Sequence, residues 1–334
     1  MALHPTVAAV RLGVRQVIGE LTPGSTVLVA CSGGADSLAL LSAVVFEARA
    51  HAVRVVGVTV DHQLQDGSAD HAARVVDQMR ALGVDESVTA TVSVTAEGVG
   101  PEAAARQARY DVLAELATRL DADQVLLGHT LDDQAETVLL GLARGSGGRS
   151  LAGMRRSFEV FRRPLLDVTR ADTETACVTE GIEFWTDPHN SDEQFTRVRV
   201  RTTVLPMLEH ELGPGVARTL ARTADQLRAD TEYLDTVADS ALEAALDRGS
   251  DGEQVGLSVS ALEQLPGAIR SRVLRLAAVR AGALPAQLFH THVLAVDKLV
   301  TDWHGQKWVD LPGHLRAVRR GSVLRFERPA SADG

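Results

Sequence analysis

An α/β fold, a doubly wound parallel sheet followed by a mainly helical second domain with a small terminal β element, is the fold class this 334-residue chain predicts. Three observations carry it. Short β-branched runs alternate with helical patterns through the first half, strand-like runs become scarce after about Thr169, and a Gly-punctuated pair of apolar runs closes the chain. With 45% hydrophobic residues the chain has enough apolar material for two cores.

Taken in order, Met1–Glu20 places apolar residues at helical spacing with Arg11 and Arg15 among them, which fits a helix and not a secretory leader. Strands are expected near Thr26–Ala30, Val53–Asp61, Val88–Val94 and Gln124–Gly128, and helices near Leu38–Ala50, Ser68–Leu82 and Glu102–Leu120. Such alternation implies a parallel sheet covered on both faces, whose ligands sit beyond the carboxyl ends of the strands. The turns Cys31–Ser37, Asp61–Gly67 and His129–Asp133 would gather there. Thr169-Arg170-Ala171-Asp172 reads as a capping box opening a helix, and Gly215–Arg248 as a long helical pattern. The domains are expected at 1–205 and 206–328, with 329–334 a disordered tail, and Lys307–Leu311 with Val323–Glu327 form the terminal β element.

Composition narrows the function. The net charge of −10 argues against a simple polyanion binder, yet the charge is segregated: arginines cluster around 144–163, 197–201, 270–280 and 316–328. A nucleic-acid partner therefore stays open. Two cysteines, Cys31 and Cys177, lie far apart with no Cys-x-x-Cys pair, so no zinc or iron–sulfur spacing is present and a reducing cytoplasm is the expected compartment. No apolar run is long enough to span a bilayer, so no membrane partner is expected.

Four segments carry the chemistry. Ser32-Gly33-Gly34-Ala35-Asp36-Ser37 joins an apolar strand to a helix. Two adjacent glycines let backbone N–H groups converge on an anion at the positive end of that helix, and Ser32 and Ser37 add hydroxyl donors. It is not a Walker loop, because the Gly-Lys-Ser/Thr ending is missing and the first lysine of the chain is Lys298. In Gly128-His129-Thr130-Leu131-Asp132-Asp133-Gln134-Ala135-Glu136 a strand runs into a helix whose Asp133 and Glu136 share a face. Carboxylates at a helix start can serve the dipole alone, but two side by side call for a cation, either a metal or an ammonium group. His129, at a strand's carboxyl end, suits a phosphate-facing donor. The glycine-rich stretch Gly141–Met154, with Arg144 and Arg149, suits a loop closing over an anion or a plain linker. Phe195-Thr196-Arg197-Val198-Arg199-Val200-Arg201 alternates arginine with other residues, which in an extended segment would put all three guanidinium groups on one face.

The Ser-Gly-Gly-x-Asp-Ser turn resembles the signature of the PP-loop ATP pyrophosphatases, enzymes of a Rossmann-like fold that split ATP between its α and β phosphates. Ser32–Ser37, Val60-Asp61-His62, Ala103-Ala104-Ala105-Arg106 with Arg109-Tyr110, Leu127–Glu136, Arg144-Gly145-Ser146-Gly147 and Asp187–Pro206 together resemble the ordered motifs of the tRNA(Ile)-lysidine synthetase family. The likeness covers roughly residues 25 to 210, and Leu311-Pro312-Gly313 through Phe326 resembles the end of that family's substrate-binding domain. It implies ATP-dependent ligation of lysine to C2 of the wobble cytidine, position 34, of tRNA(Ile) with anticodon CAU. The route passes through an adenylated cytidine and releases pyrophosphate and AMP. The implied partners are that tRNA, free L-lysine and ATP, with Mg²⁺ as cofactor.

By the resemblance, Ser32, Gly33, Gly34, Ala35, Asp36 and Ser37 bind ATP, with Asp36 steering Mg²⁺ or phosphate. Asp133 and Glu136 hold the lysine ammonium group, and His129 and Arg201 face the α-phosphate. Asn190 positions the arginine segment, and Arg106 and Arg109 touch nucleotide or tRNA. Gln65, Gly100-Pro101 and Val198 depart from the family pattern, and longer members carry a further C-terminal domain. Two other readings are weighed. A PP-loop tRNA thiolase making 2-thiocytidine needs cysteines to carry sulfur or a cluster, and Cys31, which abuts the loop, has no nearby partner cysteine in the sequence; a non-catalytic nucleotide or RNA-binding module would not need the acidic pair and Asp36.

Overall fold

The computed structural model describes residues 3–61, 67–92, 101–145, 148–187, 192–247 and 255–329, without the side chains of 101–103 and 105. Helix α1 (Pro5–Ile18) is followed by β1 (Thr26–Ala30), α2 (Ala35–His51), β2 (Arg54–Asp61), α3 (Ser68–Leu82), β3 (Glu86–Thr91), α4 (Pro101–Arg119), β4 (Gln124–Leu126) and α5 (Leu131–Arg144). Then come α6 (Gly148–Leu151), a hairpin of β5 (Ser157–Phe158) and β6 (Phe161–Arg162), and α7 (Arg170–Glu180). Expected strands and helices thus appear in order. The helix expected from Leu38 begins earlier, at Ala35, because Gly34 takes an extended conformation and serves as its N-cap. Asp36 and Ser37 therefore sit in the first helical turn rather than in the loop.

The strands lie in the order β3-β2-β1-β4-β6-β5, parallel except for β5 at the edge. The chain moves outward from β1 through β2 to β3, then returns to β4 on the other side of β1. That reversal opens a crevice between the carboxyl ends of β1 and β4, the place where such sheets bind ligands. Alternation along β1 builds the two layers. Val27 and Val29 pack with α1, α2 and α7, while Leu28 packs with Val56, Val58 and Val125 against Leu113 and Leu116 of α4. Being buried on both faces explains why the central strands read as apolar runs.

The segment from Phe195 to Arg201 is helical, not extended. Thr196–Arg199 forms α8 and Val200–Val204 continues as a π-helical turn into α9 (Leu205–Leu212). A helix puts residues four apart on one face, so Arg197 and Arg201 point together while Arg199 turns away to the carbonyls of Glu193 and Gln194, at 2.6 and 2.9 Å. Val198, one of the departures from the family pattern, is buried.

The chain divides into two compact units, Met1–Asp225 and Gln226–Gly334. This division falls inside α10 (Val216–Ala245), later than the 205/206 boundary expected from sequence. Arg156, bonded to both Asp167 and Asp225, ties the start of that helix to the first unit. In the second unit α11 (Val259–Glu263), α12 (Gly267–Arg280) and α13 (His290–Thr301) pack on a four-stranded antiparallel sheet. Its order is β7 (Val255–Ser258), β10 (Val323–Glu327), β9 (Leu315–Arg320) and β8 (Val309–Leu311). The terminal β element is thus larger than the two runs expected. Residues 330–334 of the expected tail lie outside the described residues. No helix among the described residues is long and apolar enough to cross a membrane.

Candidate active site

A cavity of about 750 Å³ opens at the β1/β4 crevice of the first unit, and Ser32, Gly34, Asp36, Ser37, Arg109, His129, Asp133, Arg170 and Arg201 line it. That volume suits a nucleotide-sized ligand.

One wall is the turn after β1. Ser37 Oγ donates to the Gly34 carbonyl at 2.9 Å and accepts from the Ser32 amide at 3.1 Å, so the loop is tied to the helix it enters. Gly33 has φ +81°, and a Cβ there would lie 2.7 Å from Val75 Cγ2. Only glycine fits, on conformation and on space. From outside, the amide of Trp185 donates to the Gly33 carbonyl at 3.0 Å, and His71 Nε2 meets the Ser32 carbonyl at 2.9 Å. The rings of His71 and Trp185 lie 4.1 Å apart. First-turn amides of α2, which have no partner within the helix, form the cavity edge at Gly34–Ser37.

The opposite wall starts at Gly128, where a Cβ would meet the backbone of Asp36 and Ser37 at 3.1–3.2 Å. That glycine allows β4 and α2 to approach closely enough to face Asp36 toward Asp133. At the head of α5, Asp133 Oδ2 accepts from the Thr130 amide at 2.9 Å and hydroxyl at 3.1 Å. Glu136, fully buried, is bonded by Arg197 Nε at 2.7 Å and by Arg201 Nε at 2.6 Å. Arg170 joins the walls: its Nε reaches Asp36 at 3.3 Å, its Nη2 reaches Asp133 at 3.1 Å, and its own amide donates to Asp132 at 2.7 Å. The cation called for by the acidic pair is thus three guanidinium groups, from Arg170, Arg197 and Arg201.

These charges set the protonation states. Burial alone would raise the Asp133 carboxyl, but Arg170 and Arg197, with His129 and the Thr130 amide, outweigh it and hold Asp133 at about 2. For Asp36 burial prevails and its carboxyl is pushed up, despite Arg170 and the Thr173 hydroxyl that donates to it. Burial lowers His129 to about 3, helped by Arg163, Arg109 and Arg106 and opposed by Asp133, so its ring is neutral at physiological pH. Burial also lowers Arg109, which lies among Arg106, Arg163 and Arg197. No carboxylate pairs with Arg109 among the described residues, which leaves the His129 side of the cavity anion-seeking.

Of the residues singled out in sequence, Ser32–Ser37, His129, Asp133, Glu136, Arg201 and Arg109 are brought together. Arg106 is exposed and makes a 3.4 Å contact with the Tyr110 hydroxyl. Asn190, Ser146, Gly147, His62, Gln65 and Gly100 lie outside the described residues. Sequence reasoning missed Arg170, which was visible only as the second residue of a capping box, and Arg163, His71 and Thr173, which carry no short-range signal.

Residues 9–208 match the family model of a PP-loop domain, and residues 257–323 match that of the TilS substrate binding domain. A tRNA(Ile)-lysidine synthase of Salinispora tropica is 50% identical over 334 residues, spanning 99% of each chain. The chain belongs to the tRNA(Ile)-lysidine synthase family. Another lysidine synthase, from Thermobifida fusca, is 51% identical over 320 residues, 96% of this chain and 97% of its own. That of Mycobacterium bovis is 48% identical over 305 residues, 90% of each. Among solved structures, the U34-tRNA thiolase NcsA of Methanococcus maripaludis superposes with a TM-score of 0.56, covering 66% of this chain and 79% of its own. At 17% identity it shares the fold of this lysidine synthase family member, and the likeness extends no further.

Proposed function

We propose that the cavity at the β1/β4 crevice carries out ATP-dependent joining of lysine to the wobble cytidine of tRNA(Ile) bearing the anticodon CAU. The observation that carries the reading is the facing of two unlike walls across one cavity. A glycine turn with open helix-start amides lies opposite a buried pair of carboxylates, with a neutral histidine and an anion-seeking arginine between them. Phosphates belong on the first wall and an ammonium group on the second.

In the first half-reaction O2 of the cytosine attacks the α-phosphorus of ATP and pyrophosphate leaves, giving an adenylated base. In the second, the lysine ε-amine attacks C2 and AMP leaves with the oxygen. Amide-type oxygen departs poorly until adenylated, so one site must serve both charge build-up on phosphorus and delivery of an amine. Gly33–Ser37 cradle the phosphates, and His129 and Arg109 donate to them from the other side. Asp133 and Glu136 receive the lysine ammonium group. Because Arg201 already bonds Glu136 and lies 3.5 Å from Asp133, lysine entry displaces a guanidinium, and a released Arg201 is free to meet the α-phosphate. Arg106, which is exposed, meets tRNA. The target base must leave its stack to enter the cavity.

Among the described residues no three acidic, histidine or cysteine side chains gather to hold a metal. Asp36 would hold Mg²⁺ as a single carboxylate, the ion taking its other ligands from phosphate and water, as is common at nucleotide sites. When bound there, the ion would offset charge on the leaving pyrophosphate.

The test incubates the protein with Mg²⁺-ATP, radiolabelled lysine and unmodified tRNA(Ile) bearing CAU, and counts label in acid-precipitable RNA after mild alkali. Alkali-stable label is expected, because a carbon–nitrogen bond to the base survives conditions that cleave an aminoacyl ester. Label lost in alkali, or none at all, would refute the reading.

A further inference from the structure

Arg163 is a buried arginine that bonds no carboxylate among the described residues. It follows β6, and each face of its guanidinium fork has its own partner. Nη1 donates to the Arg155 carbonyl, Nη2 donates to the Tyr110 hydroxyl at 3.0 Å, and Nε donates to His129 Nδ1 at 3.1 Å. The group also lies 4.6 Å from the ring centre of Phe158. Tyr110 is held in turn by edge contacts to Phe158 and Phe161 at 5.8 and 5.1 Å. The fork is therefore fixed in place before any ligand arrives.

A guanidinium has donors only. The nitrogen it meets on His129 must supply a lone pair, which leaves the one ring proton on Nε2. We propose that Arg163 is a positioning residue for the ligase reaction, locking His129 as the Nε2–H tautomer so that a hydrogen-bond donor, never a base, faces the cavity. A proton added at Nδ1 would break the Arg163 bond and set two cations together. Arg109 and Arg106 oppose that charge as well, and Asp133 alone favours it. His129 thus cannot be the group that takes the proton from lysine. It can hold an oxygen on phosphorus in both half-reactions without changing charge. The catalytic part of this inference rests on the function proposed above, while the tautomer itself does not.

Nitrogen-15 NMR of the histidine-labelled protein tests it, with the His129 ring signals identified by their loss in His129→Gln. In the unmutated protein the expected pattern is a neutral ring protonated at Nε2 and unchanged from pH 8 to pH 5. In Arg163→Met the ring should exchange between tautomers and take up a proton within that range, and pyrophosphate release should slow by about 10- to 100-fold, taking the loss seen when the partner that orients a metal-bound histidine is removed as the guide. An Nδ1–H or imidazolium signal in the unmutated protein would overturn the inference, whether or not Arg163→Met folds. So would Arg163→Met with an unmoved tautomer or with unslowed pyrophosphate release. A protein that shows the Nε2–H pattern but transfers no lysine would sink the ligase reading and leave the pairing of Arg163 with His129 standing.

Discussion

Replacing Glu136 by glutamine leaves the heavy-atom count of the side chain unchanged, yet it should be among the most damaging single substitutions in the first unit. The carboxylate is fully buried and both oxygens are in use. Oε1 accepts from Arg201 Nε at 2.6 Å and lies 3.5 Å from Arg170, and Oε2 accepts from Arg197 Nε at 2.7 Å and Arg201 Nη2 at 3.1 Å. Whichever way the amide of a glutamine turned, its NH₂ would face an N–H donor at one of the two shortest contacts. The cluster would also carry one excess positive charge. Removing one partner of a buried ion pair costs about 3–5 kcal/mol. For a folding unit of 225 residues this corresponds to a fall in melting temperature of about 6 to 20 °C, at about 2–4 °C for each kcal/mol. Differential scanning calorimetry reads it directly. Pairing the change with Arg201→Gln should recover part of the loss, since each single variant strands the other's charge. A melting point within about 2 °C of the parent, or strict additivity in the double variant, would refute the account of Glu136 as a desolvated counter-ion.

Four other outcomes follow from the same geometry. Gly33→Ala forces a Cβ into a left-handed conformation 2.7 Å from Val75, so ATP affinity by calorimetric titration should fall by more than about tenfold, whereas parent-like affinity would show that the turn does not cradle phosphate. Asp36→Ala should abolish pyrophosphate release, and near-normal release would remove Asp36 from adenylation. Asp133→Asn should raise the lysine concentration needed for half-maximal ligation much more than it slows adenylation; an unchanged lysine requirement would contradict its role.

The fourth outcome concerns pH. His129, held at about 3, stays neutral in the folded protein while the unfolded chain takes up a proton below the ordinary value of 6.5. Stability is therefore present above 6.5 and declines as pH falls through 6 and 5, by at most about 1.4 kcal/mol for each pH unit. Asp133, held at about 2 against an ordinary 3.8, adds a loss that begins only below pH 4. Urea midpoints from pH 7 to pH 4.5 should decline in the parent and flatten in His129→Gln; equal slopes would contradict the neutral, half-buried ring.

The element order, the glycine turn after β1 and the residues of both cavity walls were legible in the sequence because each is written in neighbouring residues. A glycine pair between a strand and a helix, or two carboxylates three apart on a helix, expresses its chemistry within one turn of chain. The reading of Phe195–Arg201 as extended went wrong for a related reason. Arginine at every second position fits a strand, but packing of Val198 and Val200 and the attraction of Arg197 and Arg201 to Glu136 favour helix, and alternation over seven residues is too weak to outweigh them.

What the sequence by itself determined is the α/β sheet, the glycine turn that enters α2 and the family to which the chain belongs. Which cations neutralise Asp133 and Glu136, and which proton His129 carries, were decided only by the tertiary structure. Arg170 is 37 residues from Asp133, Arg201 is 65 from Glu136, and Arg163 is 34 from His129. Chain reversals at the sheet bring these groups within hydrogen-bond distance, and the low dielectric around the buried side chains then makes their charges govern one another. Neither distance nor dielectric is a property of residue order, so no local pattern could have announced them.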